Sequence, residues 1–233
     1  MGAKFRHEMK YIIPAYLHQE MAAVFRELMS YDRHAGPEHQ YNIRSLYFDD
    51  MYRSAYREKL DGIQIRRKYR IRIYNCQDHR IVLECKHKDG AYIYKESIPL
   101  SREEYGLILA GEVGFLLKRE EPIAREFFID HRTKLLRPEV IVEYDREPFI
   151  FETGTVRVTF DKGLRAVSKE EDMFDPEARS LDVLGKGRMI LEIKFTGILP
   201  EQIRRLFKSY EIVQTNASKY CMCVDRLSPD SPY

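Results

Sequence analysis

The sequence predicts an α+β protein made mostly of β-strands, and three observations support this. Most of the 233 residues lie in segments where apolar and polar side chains alternate, as they do in strands with one buried face. Fewer segments repeat apolar residues at helical spacing. A hydrophobic content of 44%, with 16 Tyr and 12 Phe, is enough for a core and argues against disorder.

Four helices are predicted from apolar residues spaced three and four apart. The first covers residues 14–29, where Pro14 suits an initial helical turn. Ser101 and Glu104 have the spacing of a capping box, which predicts the start of the second. The third covers residues 121–136, and a short fourth follows Pro200.

Nine segments alternate with a period of two, which predicts eight or nine strands. They are residues 5–12, 42–48, 64–75, 79–87, 91–99, 140–149, 155–161, 189–195 and 218–225. Residues 166–187 are expected to be loop-rich, and about 227–233 to form a frayed tail. No repeat or Pro/Gly/Ser linker divides the chain, so a single domain over residues 1–233 is expected.

The stretch RRKYRIRIY, residues 66–74, places five cations in nine residues of a predicted strand. Successive side chains on a strand point to opposite faces, so residue parity sorts them. One face of this strand is basic, and the other is apolar with Ile71 and Ile73, apart from the exception Arg67. The basic face carries Arg66, Lys68, Arg70 and Arg72.

Other predicted strands have a similar polar face. Its members are Arg6, Glu8 and Lys10; Glu84, Lys86 and Lys88; Tyr144 and Arg146; Arg157, Thr159 and Asp161; Glu192 and Lys194. A solvated face explains any single strand. It explains the series less well, because like charges on neighbouring strands destabilise their pairing. A bound polyanion would reverse this repulsion, so the pattern favours a concave surface or a barrel whose polar lumen holds phosphate.

Composition limits the function classes. Lys and Arg number 39 against 37 Asp and Glu, a net charge of +2, so no bulk attraction to nucleic acid or anionic membrane is indicated. No nucleic-acid partner is therefore expected. The N-terminus lacks the apolar run of a signal peptide, and no segment approaches the roughly 20 apolar residues of a membrane span. A cytoplasmic protein is expected.

Eight motifs together carry a resemblance to a known family. In chain order they are FRHEMKY, SLYFDD, YRIRIY, LECKHK, VEYDR, VRVTFD, ILEIKF and NASKY. Over nearly the whole chain the sequence resembles the catalytic domain of the vacuolar transporter chaperone (VTC) polyphosphate polymerases, within the triphosphate tunnel metalloenzyme (CYTH-like) superfamily. The resemblance implies an antiparallel eight-stranded β-barrel with flanking helices. It also implies transfer of the terminal phosphate of ATP to polyphosphate, assisted by Mn²⁺ or Mg²⁺.

The resemblance also implies roles for individual residues. Phosphate-binding cations fall on Lys10, Arg70, Arg72, Lys86, Lys95, Arg146, Arg157 and Lys219, with Tyr144 and Ser218 as hydroxyl partners. Lys88 and Lys194 join them because they share the polar faces. The catalytic group is Lys10, Arg70, Arg72, Lys86, Arg146 and Glu192. Glu192 is the implied metal ligand, and Glu8, Glu84 and Asp161 are further candidates. The expected partners are ATP and polyphosphate or pyrophosphate; a membrane protein partner and the oligomeric state are left open.

Two departures from the family pattern keep other functions open. Lys88 follows Lys86 where the VTC motif has Lys-x-His, and no metal-ligand spacing is seen around His7, His79, His87 and His131. Glu8 precedes Lys10 as in the ExExK motif of hydrolytic tunnel enzymes, although Arg6 replaces the first Glu. A tunnel triphosphatase acting on inorganic or organic triphosphates and a non-catalytic polyphosphate- or nucleotide-binding module remain alternatives. An RNA-binding β-domain is a distant fourth.

Two carboxylates also have plain structural explanations. Glu84 is expected to form a salt bridge with Lys86 or Arg72. Asp49 is expected to cap or terminate a strand.

Overall fold

The structure, a computed structural model, describes residues 6–90, 92–151 and 156–228. The strands are β1 (Arg6–Pro14), β2 (Ser30–Tyr31), β3 (Tyr41–Asp49), β4 (Ile65–Tyr74), β5 (Gln77–Asp89), β6 (Tyr92–Leu100), β7 (Arg137–Ile150), β8 (Val156–Val167), β9 (Ser180–Asp182) and β10 (Arg188–Thr196). The helices are α1 (Ala15–Leu28), α2 (Ser54–Leu60), α3 (Arg102–Leu109), α4 (Pro122–Thr133), α5 (Glu201–Ser209) and α6 (Lys219–Leu227), with a 3₁₀ helix at Val113–Lys118. The predicted strand starts at residues 5, 91 and 155, and the tail from residue 229, lie outside the described residues.

The strands form one antiparallel sheet with flanking helices, which confirms the predicted fold class. Eight strands follow the order β1-β10-β8-β7-β3-β4-β5-β6, while β2 pairs with β7 and β9 with β8. Long antiparallel ladders join β1 to β10, β10 to β8, β3 to β4, β4 to β5 and β5 to β6. The four predicted helices are confirmed as α1, α3, α4 and α5.

The chain divides into two compact units. The first unit contains Met1–Asn42, Tyr144–Leu164 and Asp182–Lys219. The second unit contains Ile43–Glu143, Arg165–Leu181 and Tyr220–Tyr233. The expectation of one domain over residues 1–233 stays a prediction.

In the first unit, α1 and α5 cover the apolar face of β1, β8 and β10. Phe25 of α1 is fully buried, and its ring lies 5.6 to 5.9 Å from those of Phe149, Phe160 and Phe207. Aromatic groups at these separations add specific ring contacts to the burial of a large apolar area. Because these helices take one face of the strands, the polar side chains of alternate parity are directed away from this core.

In the second unit, α3 and α4 pack on the apolar face of β4, β5 and β6. Phe127 of α4 is fully buried and meets Phe48 and Tyr69 edge to face, with ring centroids 5.3 and 5.2 Å away. The predicted capping box is present: Ser101 Oγ accepts from the Glu104 amide at 3.0 Å, and Glu104 Oε2 accepts from the Ser101 amide at 2.8 Å. The four orphan amides at a helix start are thereby partly satisfied.

Asp49 is the last residue of β3, as predicted, and its side chain also contacts the start of α2, which was not predicted. Its carboxylate accepts hydrogen bonds from the amides of Ala55 at 2.9 Å and Tyr56 at 3.0 Å. It also accepts a 2.5 Å hydrogen bond from the Tyr220 hydroxyl. Helix α2 itself was not predicted, and neither were the short strands β2 and β9 nor the 3₁₀ helix.

The predicted strand over residues 218–225 is wrong, because this segment begins α6. The sequence KYCMCVD satisfies a period of two, but its buried side chains follow a helical period instead. Those buried side chains are Tyr220, Cys221, Cys223 and Val224. Lys219 is therefore the first residue of a helix and not part of a strand face.

No helix within the described ranges has both the length and the apolar character to cross a bilayer.

Candidate functional site

The predicted site residues fall into two groups, one in each compact unit. We call the group in the first unit the β10 cluster: Glu8, Lys10, Tyr144, Arg146, Thr159, Asp161, Glu192, Lys194 and Lys219. We call the group in the second unit the β4 cluster: Ser45, Tyr47, Arg70, Arg72, Glu84, Lys86 and Lys95.

Strand register places six members of the β10 cluster on one face of β1, β10 and β8: Glu8, Lys10, Thr159, Asp161, Glu192 and Lys194. Glu192 lies opposite Lys10 on one side and Thr159 on the other. Lys194, two residues on, lies between Glu8 and Arg157. Neighbours directly opposite one another in a ladder share a face, so these side chains form a charged surface across three strands.

Asp161 is the fully buried anion of the β10 cluster. Arg146 donates to both of its oxygens, from Nε at 2.7 Å and from Nη2 at 2.9 Å. Lys219 Nζ lies 2.5 Å from Asp161 Oδ2. Burial alone would raise the pKa of Asp161, but the charges of Arg146 and Lys219 overcome it and lower that pKa. The two cations already occupy this carboxylate.

Glu192 is nearly as buried and is also surrounded by cations. Lys194 Nζ lies 2.7 Å from Oε1, and Arg146 Nη2 lies 3.6 Å from Oε2. Burial opposes ionisation, yet the charge of Lys194 and a hydrogen bond with Glu8 hold the pKa of Glu192 well below its usual value. Glu192 is therefore ionised at neutral pH, beside a second carboxyl group.

The two lysines nearest Glu192 differ in their proton affinity. Burial lowers the pKa of Lys194 to about 8, and the neighbouring carboxylates Glu192 and Glu8 only partly restore it. Burial also acts to lower the pKa of Lys219, but the charges of Asp161 and Glu192 outweigh burial and raise that pKa. Both lysines carry a positive charge at pH 7 in most molecules, so both can neutralise phosphate oxygens.

The other predicted residues of the first unit vary in their placement. Lys10 Nζ lies 3.2 Å from Glu8 Oε1 and donates to the carbonyl of Ala217 at 3.3 Å. The Tyr144 ring lies 5.2 Å from the Arg146 guanidinium carbon and 4.8 Å from Lys219 Nζ, so its face supports two cations.

Arg157 and Ser218 lie at the margin of the β10 cluster. Arg157 donates to the Tyr41 hydroxyl at 2.9 Å and lies 2.8 Å from Asp32 Oδ2, so its guanidinium is anchored outside the cluster. Ser218 is half-buried and immediately precedes Lys219.

Thr159 is a member of this surface that the sequence did not single out as a site residue. It is buried and lies opposite Glu192, and among the residues that the structure describes its Oγ1 has no hydrogen-bond partner. A buried hydroxyl without a partner costs free energy unless something bound to the protein satisfies it. Its shared parity with Arg157 and Asp161 was the available signal.

In the β4 cluster, three cations converge on Glu84. Arg70 donates from Nε at 2.7 Å, Lys95 Nζ lies 2.5 Å away, and Arg72 Nη1 lies 4.0 Å away. Burial would raise the pKa of Glu84, but the charges of Arg70 and Arg72 lower it far below its usual value. Glu84 thus acts as the internal counter-ion of this cluster; the predicted salt bridge to Arg72 is present as the longest of the three contacts.

Hydroxyl groups orient the two arginines. Tyr47 accepts from Arg70 Nη1 at 2.9 Å, and Ser45 accepts from Arg72 Nε at 3.0 Å. The remaining predicted lysines lie along the same strands: Lys86 is opposite Lys95, whereas Lys88 donates to Gln64 at 3.2 Å nearer the strand end. One carboxylate among four cations leaves the β4 cluster with a surplus of positive charge.

Comparison with known protein families agrees with the resemblance seen in the sequence. The model of the VTC domain family matches residues 5–228. The chain belongs to the VTC domain family. A search of curated proteins finds no match.

Two solved structures share the fold of this VTC domain. One is a Bacillus halodurans protein described as an adenylate cyclase, with 15% identity, a TM-score of 0.56, and coverage of 94% of this chain and 96% of that chain. The other is a Hippeastrum protein described as an adenylyl cyclase with a dominant triphosphatase activity, with 14% identity, a TM-score of 0.54, and coverage of 93% of both chains. At these identities the likeness establishes the fold alone.

Both clusters make this VTC domain sensitive to acid. The pKa values of Glu84, Asp161 and Glu192 are lowered in the folded protein, so these groups contribute stability above their unfolded pKa values, about 4, and lose it as pH falls through the folded values. We expect the free energy of unfolding to drop steeply below about pH 4.5. Urea denaturation at pH 7, 5, 4 and 3 measures this.

The matched variant for the acid experiment is Glu84→Gln. This variant lacks one of the carboxyl groups whose pKa is lowered on folding. Its free energy of unfolding should therefore be smaller at pH 7 but should depend less on pH. A wild-type free energy of unfolding that stays constant from pH 7 to pH 3 would contradict the assigned ion pairs.

Proposed function

We propose that this VTC domain is a metal-assisted polyphosphate polymerase that transfers the terminal phosphate of ATP to a growing polyphosphate chain. The observation that carries the proposal is the state of the carboxylates in the β10 cluster. Each is held by a cation: Glu8 by Lys10, Asp161 by Arg146, and Glu192 by Lys194.

Buried carboxylates that are ionised and bound to cations, as Asp161 and Glu192 are, are poor general bases. A base that activates water works best with a pKa near the working pH, whereas the pKa values of Asp161 and Glu192 are lowered. A terminal phosphate of polyphosphate is already anionic and needs no proton removed before it attacks. The cluster therefore favours transfer to a phosphate acceptor over transfer to water.

The cations have the role that phosphoryl transfer requires. The reaction depends on positioning and on neutralising charge that spreads over the phosphoryl oxygens. In the β10 cluster we assign this to Lys10, Arg146, Lys194 and Lys219, with Arg157 anchored at its margin. In the β4 cluster we assign phosphate binding to Arg70, Arg72, Lys86 and Lys95, with Lys88 further along β5. Arginine can bind two phosphate oxygens at once, while lysine adds a mobile charge.

A divalent cation fits the pair Glu192 and Glu8. The two carboxyl groups are within hydrogen-bonding range of each other, and the unpartnered Thr159 hydroxyl lies opposite Glu192. Mn²⁺ or Mg²⁺ suits such an oxygen set and, when bound, would neutralise phosphate oxygens and withdraw electron density from phosphorus. Asp161 and Glu84 are weaker candidates, because each has two cations within 2.7 Å of its oxygens, whereas among the described residues Glu192 has only Lys194 that close.

The test is product analysis of the purified protein incubated with ATP and either Mn²⁺ or Mg²⁺. Polyphosphate, ADP and free phosphate are resolved by gel electrophoresis and ³¹P NMR. We expect chains of polyphosphate together with ADP, and little free phosphate. Glu27→Gln, which changes an exposed carboxylate of α1, is the matched control and should form the same products.

A triphosphatase is the second candidate. The Hippeastrum neighbour is described with a dominant triphosphatase activity, and the adjoining Glu8 and Glu192 are the carboxylate pair such an enzyme would use. Free phosphate without chains, from ATP or from tripolyphosphate, would favour this candidate. Tight tripolyphosphate binding without any turnover would instead favour a binding module.

The expected partners stay ATP and polyphosphate or pyrophosphate, with no nucleic acid. The cytoplasmic localisation was inferred from the sequence and stays a prediction, while the question of a membrane protein partner stays open.

A further inference from the structure

His87, Glu96 and Glu126 come together on the opposite side of β5 from the lysines of the β4 cluster. His87 lies on β5, Glu96 on β6 and Glu126 on α4, all within the second unit. His87 Nε2 is 2.9 Å from Glu96 Oε2 and 3.8 Å from Glu126 Oε2. Because the three residues come from separate elements, sequence spacing gave no sign of this group.

The arrangement leaves a buried ring nitrogen unsatisfied. His87 is buried, and within the described part of the chain its Nε2 has no hydrogen-bond partner, although Glu96 Oε2 lies 2.9 Å away. A neutral imidazole nitrogen and a carboxylate oxygen facing each other at this distance repel when both present lone pairs. A cation between them removes the repulsion.

The separations suit one bound ion. Ligands at about 2.1 Å from a common ion lie at most about 4.2 Å apart. Both His87 contacts meet this limit, and one ligand atom from each residue lies within 4.8 Å of the other two. Binding one common ion requires the two glutamate oxygens to come within about 4.2 Å of each other. The carboxyl groups are partly exposed, at 28% for Glu96 and 36% for Glu126, so an ion can enter from solvent.

The surroundings hold the imidazole in place and leave the carboxylates available. The Tyr94 ring stacks on His87 with centroids 4.4 Å apart and an interplanar angle of 4°. Arg67 lies 3.5 Å from Glu126, but it makes its shorter contacts, at 2.6 Å, with Asp130. Its charge is thus largely balanced by a different carboxylate.

We propose that His87, Glu96 and Glu126 bind a divalent transition-metal ion of the Zn²⁺ class. One imidazole with two carboxylates is a ligand set that Zn²⁺ accepts, whereas Mg²⁺ and Ca²⁺ prefer oxygen alone. The ion ties α4 to the β5–β6 pair. This site is separate from Glu192 and does not depend on the proposed polymerase activity.

The ion would also act on the β4 cluster through the backbone. Lys86 precedes His87, Lys95 precedes Glu96, and the two lysines lie opposite each other in the ladder. Like charges so placed weaken strand pairing. A metal bridge between β5 and β6 one residue away holds the strands together against that repulsion and fixes where both lysines project.

The experiment measures Zn²⁺ binding by isothermal titration calorimetry, in a Glu192→Gln protein so that the phosphate-site metal does not contribute. We expect one Zn²⁺ site. Adding Glu96→Gln and Glu126→Gln should weaken it by about tenfold or more, while adding Glu103→Gln, an exposed carboxylate of α3, should not. Co²⁺ in place of Zn²⁺ should give a visible absorption band that the Glu96 and Glu126 variants lose.

Thermal unfolding separates binding from folding. Zn²⁺ should raise the Tm of the Glu192→Gln protein and of the Glu103 control, but not of the variant lacking both glutamates. The single variant Glu96→Gln serves if the double variant does not fold. The proposal is overturned if the Glu192→Gln protein binds no Zn²⁺, which would leave only the contact between His87 and Glu96, or if its Zn²⁺ affinity does not change when Glu96 and Glu126 are replaced.

Discussion

Replacing Arg146 with alanine is expected to lower the free energy of unfolding by about 3 to 5 kcal/mol. Asp161 is fully buried and receives two of its hydrogen bonds from Arg146. Without Arg146 the buried carboxylate keeps only Lys219 as a close cation. Leaving such a charge incompletely paired costs far more than losing an exposed salt bridge. Arg146 is thus as much a structural residue as a phosphate ligand.

Urea denaturation at pH 7 measures this loss, and two variants sharpen its interpretation. Adding Asp161→Asn to Arg146→Ala should recover part of the stability, because it removes the buried negative charge that Arg146→Ala leaves incompletely paired. Arg205→Ala breaks only an ion pair with Glu201 on the exposed face of α5 and should cause no measurable change. A loss of under about 1 kcal/mol for Arg146→Ala would contradict the buried pairing.

Residue parity predicted much of the candidate site because it depends only on local strand geometry. Once a strand is recognised, alternate side chains share a face, whatever the sheet around them. The alignment of Lys10, Glu192 and Thr159 across three strands needs one further fact, which is the register. Register comes from pairing between distant segments, so the sequence could place these residues on a face but not next to each other.

The failed strand at residues 218–225 shows where local pattern is insufficient. A short run of alternating apolar residues fits a strand and one side of a helix equally well, and packing decides between them. Here Tyr220 donates to Asp49 and Cys223 is fully buried, contacts that a helix supplies at a spacing of three. Tertiary packing has overridden the period of two.

Ion pairing was only partly predicted from sequence, which gave the contact of Glu84 with Arg72 but not those with Arg70 and Lys95. The polar faces offered four carboxylates as metal candidates, and only the family resemblance put Glu192 first among them. In the structure, Glu84 is the counter-ion of Arg70, Arg72 and Lys95. Such a ranking follows from distances between side chains of different strands, and parity carries no information about those distances.

Replacing Glu192 with glutamine is expected to lower kcat by at least about 100-fold, the size of effect seen when one group that stabilises transition-state charge is removed. Glutamine keeps the shape of the side chain but has no charge with which to hold a divalent cation beside Glu8. Mn²⁺ binding, measured by electron paramagnetic resonance, should weaken in parallel. Glu27→Gln should leave both quantities unchanged.

Turnover and Mn²⁺ affinity should fall in the Glu192→Gln variant, but its affinity for tripolyphosphate in the absence of metal should not fall. Glu192 is an anion among the cations Lys194, Lys219 and Arg146, and its negative charge opposes a bound phosphate. Glu192→Gln should therefore bind tripolyphosphate as tightly as the wild type or more tightly in calorimetry without metal. A variant that was merely unfolded or distorted would lose both turnover and tripolyphosphate binding. Loss of turnover with retained anion binding would identify Glu192 as the group that acts through the metal, and unchanged turnover would remove it from the reaction.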